Sequence, residues 1–157
     1  MYEKLDPLLD KVIKVSQRIA RDYDQDYVGT EHLLLAILEE GAGLAVDILK
    51  AHGIDLRRAK TEVDKLIKKS LEDTWVFGRL PGTPHFRNVM AKAIEEAQRF
   101  KSRVVSPEHL LVALAAEEGS VAAHALAEMG VDVKLIRDEI AGRSKDGAGG
   151  AAEATQE

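Results

Sequence analysis

The sequence predicts an all-α protein of eight helices, arranged as two similar four-helix halves related by a pseudo-twofold axis. Three observations lead to this prediction. The segment from Val28 to Ile37 returns with few changes 77 positions later, from Val105 to Leu114. Apolar residues recur at helical spacing in both copies, and no segment alternates in the way that is typical of a strand. A period this long, present only twice, indicates a duplicated domain rather than a solenoid.

The first half opens with two strong helix signals. Asp6 followed by Pro7 is an N-cap with proline in the first turn, and it predicts an amphipathic helix of about four turns. A second helix is expected to begin near Glu31. Its segment 33–38 is apolar on every side, which indicates a central, buried helix.

Two further helices are predicted in each half. The third helix is predicted to end at Gly53, which adopts a left-handed conformation, and Asp55 then caps the fourth helix. The second half repeats this plan from Thr83 onwards. The predicted boundaries are a double-repeat domain at 1–142, with repeat one at about 8–69, a linker at 70–82 and repeat two at about 83–141, followed by a flexible tail at 143–157.

Composition narrows the class of protein. The chain has 157 residues, the size of one ordinary domain, and it contains no cysteine, which excludes thiol catalysis, disulfides and zinc-thiolate sites. Its net charge of −5 is spread over interleaved acidic and basic residues, which argues against nucleic-acid binding. No run approaches the ~20 apolar residues of a membrane span and the start lacks a signal sequence, so a soluble, cytoplasmic protein without membrane contact is expected.

Four segments, together with the duplication, indicate a family resemblance. Over about residues 8–141 the chain resembles the double-repeat N-terminal domain of the Clp/Hsp100 protein unfoldases, and most of all that of the ClpC-type branch. The segments are Val28-Gly29-Thr30-Glu31-His32-Leu33-Leu34, Glu40-Gly41-Ala42-Gly43, Thr83-Pro84 and Glu108-His109-Leu110-Leu111.

The resemblance implies a helical module that sits on a AAA+ ring and receives substrates or adaptor proteins for the unfoldase and its protease. If the chain is a complete protein, it is similar to the small stand-alone Clp N-domain proteins. The sequence lacks a G-x-x-x-x-G-K-[ST] phosphate loop, so neither ATP hydrolysis nor a cofactor is expected. A hydrolase built on the Glu-His pairs would lack a nucleophile, a metal set and an orienting third group.

Glu31 and Glu108 occupy equivalent positions at the starts of two helices. One interpretation is structural, because a carboxylate there complements the positive end of the helix. The other is functional, because free N–H groups bind an anion while the carboxylate pairs with a guanidinium. The resemblance implies that these glutamates bind phosphoarginine, with Thr30 adding a hydroxyl and an N–H. In the second copy Pro107 replaces Thr30 and removes both, so the first site is favoured.

Histidines and aromatic residues give weaker signals. His32 and His109 are interpreted as structural groups bonded to backbone or carboxylate, and metal binding is not expected. His52, His85 and His124 are expected to be isolated residues at the surface or at a boundary.

Trp75 and Phe77 lie in the predicted linker. They either cover the seam between the halves or form an exposed patch for a partner. The leading hypothesis is therefore a non-enzymatic module that binds substrates or adaptors. The alternative is an accessory structural subunit that docks on the Clp protease core or on the ring.

Overall fold

The computed structural model of the chain describes residues 4–25, 27–74 and 83–143. Eight helices lie within these ranges, which confirms the predicted all-α class. The first half contains α1 (Pro7–Asp22), α2 (Thr30–Glu40), α3 (Leu44–Ala51) and α4 (Leu56–Thr74). The second half contains α5 (Pro84–Arg99), α6 (Pro107–Ala116), α7 (Val121–Glu128) and α8 (133–143).

The duplication is visible in where the helices begin. Each helix of the second half starts 77 positions after its counterpart in the first half, so the two predicted four-helix repeats are confirmed. Helix α4 continues to Thr74, inside the range 70–82 assigned to the linker. The predicted domain boundaries stay predictions, and the predicted tail lies almost wholly outside the described residues.

Side-chain caps explain why the helices begin where they do. The carboxylate of Asp6 accepts a hydrogen bond from the N–H of Leu8 at 2.9 Å, and the hydroxyl of Thr83 accepts one from the N–H of Phe86 at 3.1 Å. A proline follows each cap, with its backbone angle already suited to the first turn. Equivalent helices in the two halves therefore begin with the same local chemistry.

Left-handed backbone positions are also repeated. Gly53 has the predicted positive φ, +76°, and its counterpart Gly130 has φ +85°. Asp24 and Lys101, also 77 positions apart, have φ values of +60° and +58° although neither is glycine. Both sit just past the end of the first helix of their half, where one left-handed residue turns the chain towards the next helix.

Helices α2 and α6 lie at the centre of the molecule, as their apolar sequences predict. Residues 33–38 of α2 and 110–114 of α6 are buried on all sides, and one continuous apolar core includes residues from both halves. Burial of this kind supplies the main driving force for folding. The halves therefore share a core.

Two very short strands, which were not predicted from the sequence, join the halves. Strand β1 (Lys4–Leu5) pairs in parallel with β2 (Val104–Val105), and the N–H of Asp6 continues the pairing by donating to the carbonyl of Val105 at 2.9 Å. At the equivalent place, the N–H of Thr83 donates to the carbonyl of Val28 at 3.4 Å. In each half, the segment before the first helix is thus hydrogen-bonded to the other half. Strands of two residues carry no alternation, so no sequence pattern could reveal them.

Candidate functional site

The starts of α2 and α6 are built around a histidine. The N–H of Gly29 donates to Nδ1 of His32 at 2.8 Å, and the N–H of Ser106 donates to Nδ1 of His109 at 2.9 Å. A ring nitrogen that accepts a hydrogen bond carries no proton, so both imidazoles are neutral. Burial lowers the pKa of each ring to about 4. The structural interpretation of the two histidines is confirmed.

Glu31 lies at the first turn of α2 and is buried, with 5% of its surface exposed. Its carboxylate folds back over the helix start: a Cβ added at Gly29 would lie 2.6 Å from Oε1 of Glu31. Burial raises the pKa of the carboxyl group, whereas hydrogen bonds from its own backbone N–H and from the hydroxyl of Thr30 lower it, as does the charge of His85. The carboxylate therefore occupies the anion-binding end of its own helix.

Thr30 connects this helix start to the second half of the chain. It is buried, and its hydroxyl oxygen accepts a hydrogen bond from the N–H of Ala122 in α7 at 3.2 Å. Together with the bond to Glu31, this contact occupies the hydroxyl on both its acceptor and its donor side. The side chain of Thr30 thus holds Glu31 in place and ties α2 to α7.

Aromatic side chains surround the first site. The rings of Tyr23 and Tyr27 lie with their centroids 5.8 Å and 5.9 Å from that of His32. Burial, together with the negative charge of Glu31, raises the pKa of Tyr27 to about 12. The second half has Phe100 and Val104 at the two tyrosine positions, so the two sites differ in polarity.

The second site has two carboxylates. Burial raises the pKa of Glu108, a hydrogen bond from its own N–H lowers it, and the charge of Asp6 raises it. Asp6 also accepts a hydrogen bond from the hydroxyl of Ser106 at 3.0 Å. Pro107 is buried in the first turn and offers no N–H. The second site therefore has one more carboxylate and one fewer backbone N–H than the first site.

The counterpart of Asp6 at the first site is Thr83, which is neutral. Through its bond to Val28 it brings the first turn of α5 beside the start of α2. His85 lies in that turn, and its charge acts on Glu31. The first site thus combines a carboxylate with a nearby imidazole, whereas Leu8 stands at the position of His85 in the other half.

His85 is held by a buried carboxylate. Its Nδ1–H donates to Oε2 of Glu117 at 2.6 Å; Asn88 donates to the same oxygen at 3.0 Å, and Lys92 donates to Oε1 at 2.8 Å. Burial raises the pKa of Glu117, but the bonds from Lys92, His85 and Asn88 outweigh it and lower the pKa to about 2. Glu117 is therefore ionised throughout the neutral range.

Two expectations about isolated histidines are wrong. His85 belongs to the cluster just described, and Nε2 of His52 lies 3.2 Å from Oε2 of Glu139, joining α3 to α8. His124 is exposed and has only a long contact of 3.8 Å to Glu128 among the described ion pairs. The partners of His85 and His52 are 32 and 87 positions away, so no local pattern could indicate them.

Three further residues belong to the sites although no sequence pattern assigned them there: Asp6, Thr83 and Glu117. The fixed offset does align Asp6 with Thr83, and that alignment indicates a charge difference between the two sites. Trp75 and Phe77 lie outside the described residues, so their predicted role stays a prediction.

Among the described residues, no group of three histidines, cysteines or acidic side chains is arranged to hold a metal ion. No single described helix is long and apolar enough to cross a membrane. Helices α6 and α7 reach the required length and apolarity only when taken together, and they are bent by 91° where they meet.

The chain is similar to parts of much longer proteins. It is 39% identical over 140 residues to an ATP-dependent Clp protease ATP-binding subunit ClpA homolog of Cyanidium caldarium, covering 89% of this chain and 16% of the relative. It is 36% identical over 140 residues to the chloroplastic chaperone protein ClpC1 of Arabidopsis thaliana, covering 89% and 15%. The chain thus spans about a sixth of the length of these relatives, some of which are chloroplast proteins, and its own compartment stays a prediction.

Solved structures show the same fold. The N-terminal domain of the chaperone ClpD from Arabidopsis thaliana matches with a TM-score of 0.74 and 22% identity, covering 90% of this chain and 95% of that one. The Hsp104 N-terminal domain from Candida albicans matches with a TM-score of 0.62 and 16% identity, covering 87% and 89%. The family model described as the Clp repeat (R) N-terminal domain matches twice, at residues 4–78 and 81–156. The duplicated helical chain is therefore a member of the Clp repeat N-terminal domain family.

Proposed function

We propose that this chain is a non-enzymatic module that binds substrates or adaptor proteins for a Clp-type AAA+ unfoldase and its protease, and that it binds phosphoarginine-marked proteins at Thr30 and Glu31. Family membership supports the first part. The observation that carries the second part is the buried carboxylate of Glu31 at the N-terminal end of α2.

Phosphoarginine matches this site because it carries both of the charges that the site can use. The phosphoryl group replaces the Glu31 carboxylate at the end of α2, where backbone N–H groups and the helix dipole favour an anion. The displaced carboxylate then pairs with the guanidinium through a charge-assisted, forked hydrogen bond. One anion is exchanged for another at the helix end, and Glu31 gains a cationic partner.

Because Glu31 is almost fully buried, binding requires its side chain to rotate outwards. Gly29 leaves the space beside the helix start in which the carboxylate now sits, and that space is open to a ligand once the carboxylate moves. Thr30 contributes by positioning: its hydroxyl is already bonded to Ala122 and to Glu31. Its part in binding is to hold the start of α2 against α7.

The second site, at Pro107 and Glu108, is proposed to bind phosphoarginine more weakly. Proline removes an N–H from the helix end. Asp6 places a second negative charge next to Glu108, and like charges disfavour a further anion. The pair of variants Glu31→Ala and Glu108→Ala therefore forms a matched test of the two sites.

Calorimetric titration of the chain with phosphoarginine tests the ligand. Glu31→Ala removes a charge-assisted hydrogen bond of about 1.5–3 kcal/mol and is expected to weaken binding at least tenfold. Glu108→Ala, the equivalent change in the second half, is expected to leave the tighter site almost unaltered. Equal affinity before and after Glu31→Ala would reject the proposal, as would an absence of binding.

A reconstitution tests the role of the module. The purified chain is added to a Clp unfoldase that lacks its own N-terminal domains, and degradation of a folded, arginine-phosphorylated reporter is followed. Restored degradation supports recruitment of substrate. Inhibition or altered ring assembly favours the accessory structural subunit, and ATP turnover by the chain alone contradicts both.

A further inference from the structure

We infer that the two halves carry loops of opposite charge, through which one copy of this chain docks head to tail on a second copy. The acidic loop carries Asp22 and Asp24 at the end of α1. The basic loop carries Arg99, Lys101 and Arg103 at the end of α5. This contact is separate from the binding of phosphoarginine and does not depend on it.

The two loops have the same backbone and opposite charges. Asp24 and Lys101 stand 77 positions apart and have φ values of +60° and +58°. In both, the N–H donates to the carbonyl three positions earlier, at 2.8 Å in the first half and 2.9 Å in the second. The same offset aligns Asp22 with Arg99. Equivalent positions therefore present charges of opposite sign.

The charged side chains of both loops are available to a partner. Those of Asp22 and Arg99 are each 60% exposed, and each pairs with a charged residue one turn earlier in its own helix. The other three, Asp24, Lys101 and Arg103, are exposed and take part in none of the ion pairs found within the described residues.

Helices α1 and α5 keep the two loops apart. Helix α1 begins beside the basic loop, where the N–H of Asp6 is bonded to the carbonyl of Val105, and it ends at the acidic loop. Helix α5 begins beside the acidic loop, where Thr83 is bonded to Val28, and it ends at the basic loop. Each helix has 16 residues and is therefore about 24 Å long. An ion pair needs an approach of about 4 Å, so the loops cannot pair within one molecule.

Opposite charges at opposite ends of one molecule favour head-to-tail association. The net charge of −5 makes copies repel on average, but complementary loops attract at short range and fix the orientation of the partner. A second copy is the partner that fits, because it carries the opposite charges at the same spacing on the same backbone. Contacts between two different surfaces of identical chains are heterologous, and they build rings or open chains.

The contact is weak between free copies. A few exposed ion pairs strengthen association by about tenfold in total. Copies held on one AAA+ ring, as the proposed function has them, meet at an effective concentration of about a millimolar. The contact is therefore expected to join neighbouring copies on a ring, although its existence can be tested in the chain alone.

Sedimentation equilibrium of the full chain at about millimolar concentration measures self-association. The wild type is expected to associate at low ionic strength and to dissociate as salt screens the loops. Lys101→Asp with Arg103→Asp gives both loops a net negative charge, and Asp22→Arg with Asp24→Lys gives both a net positive charge. Each variant alone is expected to associate about tenfold more weakly than the wild type.

These variants are designed to keep the fold. Every substitution introduces the residue that stands 77 positions away in the other half, and circular dichroism verifies that the helices persist. An equimolar mixture of the two variants is expected to regain the association of the wild type, because a negative loop of one faces a positive loop of the other. Both variants keep a net negative charge, so overall charge does not draw them together.

Lys50→Asp with Arg57→Asp is the matched control. It changes the net charge as much as Lys101→Asp with Arg103→Asp does, at exposed residues of α3 and α4 that belong to neither loop. It is expected to lose less association than the loop variant, and an equal loss overturns the inference. A wild type that stays monomeric at low ionic strength also overturns it, as does a mixture that associates no better than its components. None of these outcomes bears on the binding of phosphoarginine.

Discussion

A buried charged side chain in this molecule is stabilised where several neighbouring side chains donate hydrogen bonds to it. Glu117 is an example: its carboxylate is buried, and hydrogen bonds from Lys92, His85 and Asn88 hold it in the ionised form with a pKa of about 2. An ionised carboxylate that is better stabilised in the folded state than in the unfolded state contributes to stability. The contribution is complete above the unfolded pKa and is lost as the pH falls towards 2.

The first prediction follows from this cluster. Glu117→Gln keeps the shape of the side chain and removes its charge, and we expect it to lower the free energy of unfolding by about 2 kcal/mol at pH 7. The difference in free energy of unfolding between variant and wild type should shrink as the pH falls from about 4.5 to 2, because the wild-type carboxylate then becomes neutral too. Urea denaturation at several pH values in that range measures this difference. Glu128→Gln, at an exposed position of α7, is the control. An equal loss of stability in both variants would contradict the prediction.

The second prediction concerns Asp6, which adds a negative charge at the second site, where the first site has the neutral Thr83. Asp6→Thr copies Thr83, so α1 keeps a cap while Glu108 loses a neighbouring negative charge. We expect the pKa of Glu108 to fall towards its ordinary value and the second site to bind phosphoarginine about threefold to tenfold more tightly, the order expected for one partly screened charge.

The measurement is a titration in the Glu31→Ala background, which leaves only the second site to be observed. Asp55→Thr gives the control: Asp55 caps α4 by accepting from the N–H of Arg58 at 2.8 Å and belongs to neither site. No gain of affinity in Asp6→Thr would show that the missing N–H of Pro107, rather than the charge of Asp6, limits the second site.

Helices α2 and α6 each begin with a neutral, buried histidine whose Nδ1 accepts the N–H of the N-cap residue. Protonation of that nitrogen breaks the cap, so these helix starts are sensitive to acid. The folded-state pKa of His109 is lowered to about 4 by burial, against about 6.5 in an unfolded chain. Its contribution to stability is therefore complete above pH 6.5 and is lost as the pH falls from 6.5 to 4.

The third prediction is that His109→Gln loses less stability than the wild type on acidification. Glutamine at this helix position also accepts the N–H of the cap residue but does not titrate. Between pH 7 and about pH 4.5, we expect the wild type to lose about 2 kcal/mol more than the variant. Urea denaturation at a series of pH values gives the two slopes. Parallel slopes would mean that His109 does not remain neutral in the folded state.

At the scale of the whole molecule, the two halves are interlocked rather than adjacent. β1 pairs with β2 of the other half, Thr83 is bonded to Val28, and Thr30 accepts from Ala122. The central helices of both halves belong to one apolar core. Separation would expose this core and break every one of these bonds.

The fourth prediction is that neither half folds alone. Fragments 1–74 and 83–157 are expected to lack a cooperative thermal transition by circular dichroism, whereas the full chain should unfold in one two-state step with equal calorimetric and van't Hoff enthalpies. Mixing the fragments should restore part of the helical signal. A cooperative transition in an isolated half would contradict the view that the halves depend on a common core.

The sequence by itself determined the helices and their duplication. The caps at Asp6 and Thr83, the left-handed turn at Gly53 and the apolar central helices all depend on residues within a few positions of one another, and local chemistry is what a sequence states directly. It also located the paired glutamates at the helix starts, because the repeat places them in register.

Only the tertiary structure decided what surrounds those glutamates. His85 and Glu117 meet across 32 positions because α5 packs against α6 within the second half. Asp6 and Ser106 meet across 100 positions because the segment before α1 is bonded to the second half. The electrostatic potential at a site is the sum of the contributions from all charged groups that packing brings near it. Each contribution decreases with distance in space, not with separation along the chain. Thus two sites with nearly the same local sequence differ: one faces an imidazole, and the other faces a second carboxylate.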